Sequence, residues 1–454
     1  TNNFLGLGET LSFAADYGDR QKNLLFGFTE PYLFDRPIST GFTLFGRRFE
    51  FDQAREVAIL AGRRLDVSPV FQNQFLNYNQ NSVGFTLFAS YPLRRWSFTR
   101  LGVNYSYEVS DFVCLTEGCR NLFGRLSFGG FRSLAGNVNS LQGIRVSRLT
   151  PTLYYNTVSH PFEPRTGTSL YLASTMQGSA LGGNVNLFQS VLEFKHFRPD
   201  RLFSRGRNIL GFRLLGGFLS GFEGQAAPPF SRFFLGGEDT VRGFNIFGIS
   251  PIAFIPEKIA ALVAYVDPTQ LDPQGNPAIR LGTVNVLVNT PLPSGGDTQA
   301  VANFEYRIPL AGPVGLAVFF DAGLTTVLRR SQLRMNELAL DDLRKAFPGV
   351  QFESELKLAR RTNLRPRTST GLELVITLPV VNAPFRFYWA YNLYRLRSQL
   401  SVPATTAEQD PNALLPPGVF QTQILPRLDQ LFPPRTFSLV EPLRTFRFTV
   451  SRTF

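Results

Sequence analysis

The stretch Gln299-Ala-Val-Ala-Asn-Phe-Glu-Tyr-Arg-Ile-Pro-Leu310 alternates between apolar and polar side chains. One face carries Ala300, Ala302, Phe304, Tyr306 and Ile308, and the other carries Asn303, Glu305 and Arg307. Successive side chains of a β-strand point to opposite sides of its sheet. The alternation therefore predicts a strand with one apolar face and one polar face.

Segments with the same alternation recur along the chain, and turn residues separate them. They predict strands at 8–17, 22–31, 38–50, 81–92, 96–109, 120–131, 144–157, 168–178, 186–198, 207–221, 299–310, 314–325, 369–381, 385–397 and 443–454. This gives an odd number of strands, whereas bacterial outer-membrane barrels have an even number. The glycine-rich segment 120–131 suits a loop equally well, and fourteen strands remain without it.

The apolar faces of these segments are rich in Phe, Tyr and Leu, and the opposite faces carry Glu, Arg, Asn and Gly. The chain contains 45 Phe, and only 18% of its residues are charged. Apolar side chains facing out and polar ones facing in, on strands of about 9 to 11 residues, are typical of a transmembrane barrel. The sequence therefore predicts an all-β fold, an antiparallel transmembrane β-barrel extending over residues 1–454.

Short turns alternate with long connections between the predicted strands. The short turns are at 34–37, 92–95, 160–167, 199–206, 311–313 and 382–384, and the long connections are 51–80, 110–143, 222–298, 326–368 and 398–442. Outer-membrane barrels have short periplasmic turns and long external loops, so the long connections are predicted to be external. Within 326–368, helix-like spacing predicts a helix that Ser331 caps and Pro348-Gly349 ends.

The chain carries a net charge of +12. Proteins that bind nucleic acid concentrate Lys and Arg on one face, whereas here the basic residues are spread along the chain and Arg far exceeds Lys. The distribution argues against nucleic acid. It favours contact with anionic lipid head groups or a charged, hydrated interior.

Few residues could carry covalent chemistry. The two histidines, His160 and His196, lie in neither a Gly-x-Ser-x-Gly nor a His-Glu-x-x-His setting, so no catalytic residue, metal site or cofactor is predicted. Cys114 and Cys119 lack the further Cys or His that zinc requires. A disulfide in an external loop is predicted for them, although the spacing leaves two free thiols open.

The segment Phe233-Phe-Leu-Gly-Gly-Glu-Asp-Thr-Val-Arg-Gly-Phe244 follows neither the strand nor the helix pattern. Its two consecutive glycines permit a sharp turn with positive φ. Arg242 stands between Val241 and Gly243, and a charged side chain in apolar surroundings is costly unless it meets an acid. A solvated surface loop is the alternative interpretation.

Several motifs resemble those of the BamA family of bacterial outer-membrane barrel-assembly proteins and of their translocation relatives. The segment ending in Val241-Arg-Gly-Phe244 resembles the loop motif of that family, and Phe446-Arg-Phe-Thr-Val-Ser-Arg-Thr-Phe454 resembles its last strand. Asn3-Phe-Leu-Gly-Leu-Gly8 resembles the turn before the third strand, and Thr29-Glu-Pro-Tyr32 resembles the end of the fourth. Phe162-Glu-Pro-Arg-Thr-Gly167 also has its counterpart, so the resemblance covers nearly the whole chain in order.

The resemblance implies a sixteen-stranded barrel preceded by periplasmic POTRA domains. Because residues 3–8 match the turn before the third strand, it also implies that the first two strands and the POTRA domains are absent from this chain. The loop motif is expected to fold back into the barrel lumen, with Arg242 meeting acids at Glu305 and Asp321. The alternation of the strands independently places both acids on the inward face.

The resemblance further implies a function in the bacterial outer membrane, namely folding and inserting β-barrel proteins without covalent chemistry. Phe446, Phe448, Val450 and Phe454 would lie in the last strand, whose weak seam with the first strand would receive a client strand. The expected partners are unfolded outer-membrane protein clients, outer-membrane lipid and accessory assembly proteins.

Two other functions are considered. A polypeptide-translocating pore of the same superfamily would share the loop motif, so the motif does not separate it from an assembly factor. A passive porin is less favoured, because a porin has no need of an arginine loop in its lumen. The resemblance implies that five upstream POTRA repeats would indicate the assembly factor and two would indicate the translocator.

Overall fold

The computed structural model describes residues 8–18, 21–52, 77–116, 119–120, 124–125, 140–160, 163–271, 275–377, 384–402, 406–409, 415–416, 418–432 and 435–450. The strands are β1 (Thr10–Tyr17), β2 (Gln21–Glu30), β3 (Ser39–Asp52), β4 (Asn77–Pro92), β5 (Thr99–Cys114), β6 (Ser140–Asn156), β7 (Gly167–Gln177), β8 (Leu187–Pro199), β9 (Ile209–Gly221), β10 (Ile252–Leu271), β11 (Pro277–Pro293), β12 (Thr298–Pro309), β13 (Val314–Thr326), β14 (Lys357–Leu358), β15 (Arg367–Thr377), β16 (Pro384–Tyr394), β17 (Arg397–Val402), β18 (Thr406–Gln409), β19 (Arg435–Val440) and β20 (Arg444–Val450). The α-helices are α1 (Glu337–Ala346) and α2 (Leu428–Leu431).

Fourteen of these strands form one antiparallel sheet, which confirms the predicted all-β class. The order is β1 to β9, followed by β12, β13, β15, β16 and β20. In the described part of the chain, β1 stands at one end of this order, paired with β2, and β20 stands at the other end, paired with β16, so the described strands form a barrel that is not closed. No helix in the described parts of the chain has both the length and the apolarity needed to cross a membrane.

One face of this sheet exposes large apolar side chains on nearly every strand. They include Phe13, Leu24, Phe26, Leu44, Val83, Leu87, Leu101, Val103, Leu149, Phe188, Leu192, Phe212, Leu214, Phe304, Val318, Phe320, Leu372, Trp389, Phe446 and Phe448. A soluble protein rarely exposes so continuous an apolar surface. In a membrane barrel this face contacts lipid, and the polar residues that alternate with it line the lumen.

The connections between neighbouring barrel strands lie alternately at the two ends of the barrel. Because neighbouring strands are antiparallel, the short connections after β2, β4, β6, β8, β12 and β15 share one end, here called the turn end. The connections after β1, β3, β5, β7, β9, β13 and β16 share the opposite end, here called the loop end. All the long connections lie at this end, as the sequence predicted, together with the short connections after β1 and β7.

The loop end contains a hydrophobic core of its own, here called the cap core. It joins the loop-end residues of several barrel strands to the base of the β10–β11 hairpin and to α1. Its buried members include Phe112, Ile144, Leu187, Leu219, Ala253, Ile255, Leu292, Leu340, Leu343 and Phe347. Described residues of three long connections, 110–143, 222–298 and 326–368, therefore pack together as a folded cap.

The connection 222–298 was predicted to be a loop, but most of its second half is the hairpin of β10 and β11. The alternation that identified the barrel strands is missing here, because Val284, Asn285, Val286 and Leu287 are all buried. One face of the hairpin packs against residues between 407 and 424, where it buries Val263 and Tyr265.

Several other predicted boundaries were wrong. β4 and β5 extend beyond the predicted 81–92 and 96–109 towards the loop end, and in β5 the buried Ser110, Phe112 and Cys114 continue the alternation. The N-cap of α1 is Asn336, whose side chain accepts a hydrogen bond from the Ala339 amide, and not Ser331. Most of 120–131 lies outside the described residues, but its described positions Arg120, Gly124 and Arg125 have helical backbone.

Cys114 is the last residue of β5, and a disulfide joins it to Cys119. The prediction of an external loop was therefore wrong for Cys114, since buried residues extend β5 as far as this position. The disulfide closes a ring with a sequence separation of 5, and a small ring restricts the unfolded chain only slightly. We expect non-reduced native protein to show no alkylatable thiol by mass spectrometry. We also expect the Cys114→Ala/Cys119→Ala variant to keep its barrel, and two reactive thiols in native protein would contradict this assignment.

Candidate functional site

Residues 233–249, here called the lumen loop, fold back into the barrel from the loop end. The segment closes on itself where Leu235 pairs with Ile249, and Phe233 pairs with Gly296 just before β12. Between these points the loop contacts inward-facing side chains of β9, β12, β13, β15, β16 and β20. The sequence motif therefore lies inside the lumen, against one half of the barrel wall.

Two glycines permit the close packing of this loop. Gly236 has a φ of 113°, and a Cβ there would lie 2.0 Å from the carbonyl oxygen of Asn245. Gly243 has a φ of 87°, and a Cβ there would lie 2.4 Å from Oδ1 of Asn392 on β16. Any larger residue at either position would need a strained backbone and would push the loop away from its neighbours.

Arg242 is bound most closely to Asp321 on β13. Its Nε lies 2.7 Å from Asp321 Oδ2, and its Nη2 lies 2.8 Å from Asp321 Oδ1, so the pair is bidentate. The backbone amide of Arg242 also donates to Asp321 Oδ2 at 3.0 Å. The planar guanidinium group matches a carboxylate in this geometry, which a lysine ammonium cannot reproduce.

Two further acids and one aromatic ring complete the surroundings of Arg242. Its Nη1 donates to Glu305 Oε1 on β12 at 2.7 Å and to Glu373 Oε2 on β15 at 2.8 Å. The guanidinium carbon lies 3.9 Å from the ring centroid of Phe319. Arg242 is 1% exposed, so this arginine is held by three strands and is removed from water.

The charges around Arg242 balance. Arg307 pairs with Glu305 at 2.7 Å, and Arg386 pairs with Glu373. The cluster therefore contains three arginines and three carboxylates, and its formal charge is zero. Burial of charged groups is costly unless each is paired, so removing one member leaves an uncompensated charge in the lumen wall.

The electrostatics of the lumen loop favour a permanently charged Arg242. Burial alone would lower the pKa of its guanidinium group, but the Asp321 and Glu305 carboxylates outweigh burial and raise the pKa well above the usual arginine value. Arg232, just before the loop, behaves differently. Its burial lowers the pKa to about 10, and the charge of Asp297 opposes that decrease only partly.

Apolar residues of the loop hold the guanidinium group in position. Val241 precedes Arg242 in the sequence, Phe244 follows it after Gly243, and both side chains are buried. They form an apolar cluster with the buried side chains of Leu235, Ile249 and Val301 of β12. Because these side chains pack against the wall on both sides of Arg242, the charged group enters the cluster with little freedom to rearrange.

The same loop contacts the last strand of the sheet. Glu238 pairs with Arg447 of β20, and the Tyr388 hydroxyl of β16 donates to Glu238 Oε1 at 3.4 Å. The carbonyl oxygen of Gly243 accepts from Thr445 Oγ1 of β20 at 2.8 Å and from Asn392 Nδ2 at 2.9 Å. The loop that carries Arg242 therefore also positions the strand that ends the sheet.

The structure brings the predicted members of this site together and adds others that sequence reasoning missed. Arg242 lies against both Glu305 and Asp321, with Glu373 as a third acid. Glu373 alternates onto the inward face of β15, and that was the one available signal for it. Phe446 and Phe448 lie on the outward face of β20 and are exposed. Phe454 and the side chain of Val450 lie outside the described residues, as do residues 3–7, which carry part of the resemblance.

Comparison with known proteins gives the following similarities. The profile of the Omp85 superfamily domain matches residues 3–401. The outer membrane protein assembly factor BamA of Nitratidesulfovibrio vulgaris is 22% identical over 325 residues, which are 71% of this chain and 31% of that protein. This chain thus spans about a third of the length of that curated relative.

Two solved structures are also similar. BamA from Haemophilus ducreyi lacking POTRA domains 1–3 has a TM-score of 0.56 at 16% identity, over 87% of this chain and 63% of that one. CdiB from Acinetobacter baumannii has a TM-score of 0.46 at 12% identity, over 87% of this chain and 52% of that one. At such low identity, the likeness to the Haemophilus ducreyi protein concerns the fold alone.

Proposed function

We propose that this chain, which belongs to the Omp85 superfamily, forms the membrane barrel of an assembly factor that folds and inserts β-barrel clients beside β20, the last strand of its sheet. The family match covers residues 3–401, and its members are assembly and transport proteins of the outer membrane. The chain is accordingly an outer-membrane β-barrel protein. The insertase activity is our proposal, and it involves no covalent chemistry.

The observation that carries the proposal is the position of β20 at the end of the described sheet, where the lumen loop holds it. β20 pairs with β16 on one side, and we infer that a client strand pairs along its other side, here called the seam side. An unfolded client that adds a strand to the seam side satisfies its own backbone groups while it enters the membrane. In the full-length protein the seam side would meet the first strand at a seam that opens for clients.

The lumen loop supports this mechanism because it links the buried charge cluster around Arg242 to β20, the strand that borders the seam. Arg242 is fastened to β12, β13 and β15, while Glu238 and Gly243 of the same loop hold β20. The edge strand is therefore positioned by the loop as well as by its pairing with β16. If the loop were released from the wall, β20 would lose its contacts with Glu238 and Gly243, and its position at the seam would be less fixed.

A translocating pore of the same superfamily is the alternative function. Passage of a polypeptide through the lumen would require the lumen loop and the cap core to move out of the way. Both are packed structures: the loop buries a six-residue charge cluster, and the cap core unites three long connections. Lateral release at β20 requires neither of them to unfold, which favours the assembly function.

Reconstitution separates the two functions. Full-length protein, with whatever upstream domains it carries, would be incorporated into phospholipid vesicles and supplied with an unfolded outer-membrane barrel or with an unfolded water-soluble passenger. We expect the barrel client to become folded and resistant to protease in the membrane, and the passenger to remain outside. Accumulation of the passenger inside the vesicles without faster folding of the barrel client would favour the translocator.

A further inference from the structure

Two turns at the turn end combine several arginines with exposed apolar side chains, and the proposed function gives neither turn a role. Residues 198–207 contain four arginines and one aspartate, and residues 93–100 contain three arginines and no acid. Each turn also exposes two large apolar side chains at its tip, namely Leu202 and Phe203 in one and Trp96 and Phe98 in the other.

The turn at 198–207 is held in a defined shape by Asp200. Its Oδ1 accepts hydrogen bonds from the Leu202 and Phe203 amides at 2.9 and 3.1 Å. Its carbonyl oxygen accepts from Ser204 Oγ at 2.7 Å. Despite this order, Leu202 and Phe203 are 88% and 89% exposed, so the hydrogen bonds fix the tip without burying its apolar side chains.

The direction of this turn is set by Tyr306 of β12. The Tyr306 hydroxyl donates to Asp200 Oδ2 at 2.6 Å and accepts from Asn208 Nδ2 at 2.9 Å. Tyr306 alternates with the inward residue Glu305 and therefore lies on the lipid-facing side of the barrel. The turn is thus fastened to the side of the wall where the bilayer lies.

The turn at 93–100 likewise exposes large apolar side chains next to arginines. Phe98 has a φ of 66°, which is a conformational outlier for a bulky side chain, and it remains exposed beside Trp96. Arg94 and Arg95 precede these two residues and are also exposed. A strained backbone that presents an aromatic ring to its surroundings points to a contact that the isolated chain does not contain.

We propose that these two turns bind anionic phospholipids of the adjacent, inner leaflet. Aromatic and large apolar side chains lie favourably at the level of the lipid head groups. Arginine binds phosphate through paired N–H groups while its apolar stem stays against the acyl chains. The turns would hold the barrel at a fixed depth in the inner leaflet and gather phosphatidylglycerol around it.

Lipid selectivity tests the charged part of this proposal. Full-length protein would be reconstituted in phosphatidylcholine vesicles that contain a trace of spin-labelled phosphatidylglycerol or phosphatidylcholine, and electron paramagnetic resonance would give their relative association with the protein. We expect a preference for phosphatidylglycerol of about fivefold or more. The Arg198→Gln/Arg201→Gln/Arg205→Gln and Arg94→Gln/Arg95→Gln variants should each lower that preference in part, and the two sets of substitutions combined should abolish it.

A charge-matched control distinguishes local binding from the effect of net charge. The Arg330→Gln/Arg344→Gln/Arg360→Gln variant removes three exposed arginines at the loop end and should keep the native preference. An equal loss in this control, or no preference in the native protein, would overturn the proposal. Loss of the preference on adding inorganic phosphate at constant ionic strength would assign the turns to free phosphate instead of lipid.

The depth of the turn 198–207 in the bilayer tests the proposed role of its exposed apolar side chains. A spin label on Phe203→Cys should lie near the head groups, more accessible to oxygen than a label on Leu328→Cys at the loop end. The native cysteines do not interfere, because they form a disulfide. A label at position 203 that is as accessible to a water-soluble nickel reagent as the one at 328 would instead indicate a water-exposed surface or a soluble domain as the neighbour.

Discussion

Arg242→Ala is expected to release the lumen loop from the barrel wall and to abolish most of the assembly activity. The substitution leaves Asp321, Glu305 and Glu373 close together with only two of their three arginine partners. An uncompensated charge in a buried pair costs about 3 to 5 kcal/mol, and water in the lumen would reduce that cost. Hydrogen exchange of the amides at 236–244 would measure the release, and client folding in vesicles would measure the activity.

Companion variants define the role of this arginine. Arg242→Lys should restore only part of the activity, because it keeps the charge and loses the bidentate geometry. Asp321→Asn in the Arg242→Ala background should restore part of the loop protection, because it removes the uncompensated charge. Arg148→Ala breaks a pair with Glu108 on β5, at 3.1 Å and remote from the loop, and should leave the loop docked. Unchanged amide protection in Arg242→Ala would contradict the anchoring role.

Tethering β20 to the first strand of the full-length protein is expected to stop client insertion. The variant combines Phe448→Cys with a cysteine at the facing position of that strand. Oxidation would close the edge to which a client strand is proposed to pair. The barrel should remain folded, since the tether joins strands that are neighbours in the closed state. Client folding in vesicles, compared before and after addition of a reductant, measures the effect.

The control for this tether joins two strands that are already paired. Phe387 and Phe448 are cross-strand neighbours of β16 and β20. A disulfide in the Phe387→Cys/Phe448→Cys variant leaves the seam side of β20 untouched, so insertion should continue. Full activity of the oxidised seam variant would exclude the seam mechanism, and equal inhibition of both variants would show that any tether on β20 is harmful.

The barrel wall and its inward acids could be predicted from sequence because each strand is a local pattern. One apolar face and one polar face produce a two-residue period, and that period placed Glu305 and Asp321 on the inward side. The match of Arg242 to these two acids came from the family resemblance, since local patterns do not say where a glycine-rich loop folds.

The cap core and the β10–β11 hairpin could not be predicted in the same way. Val284 to Leu287 are buried on both faces, so no alternation distinguishes this strand from any other apolar segment. The contacts of Glu238 with Arg447 and of Gly243 with Thr445 join residues about 200 positions apart. They depend on the curvature of the whole sheet, which no segment of the sequence encodes by itself.

The most direct test of the assembly function is to locate a client during insertion. Full-length protein with Thr449→Cys on β20, or with Thr240→Cys on the lumen loop, would be oxidised in vesicles together with a barrel client that carries single cysteines along its final strand. We expect disulfides between the client strand and position 449, with alternation along the client as strand pairing requires. A client that crosslinks to position 240 and not to position 449 would mean passage through the lumen and would contradict assembly at the seam.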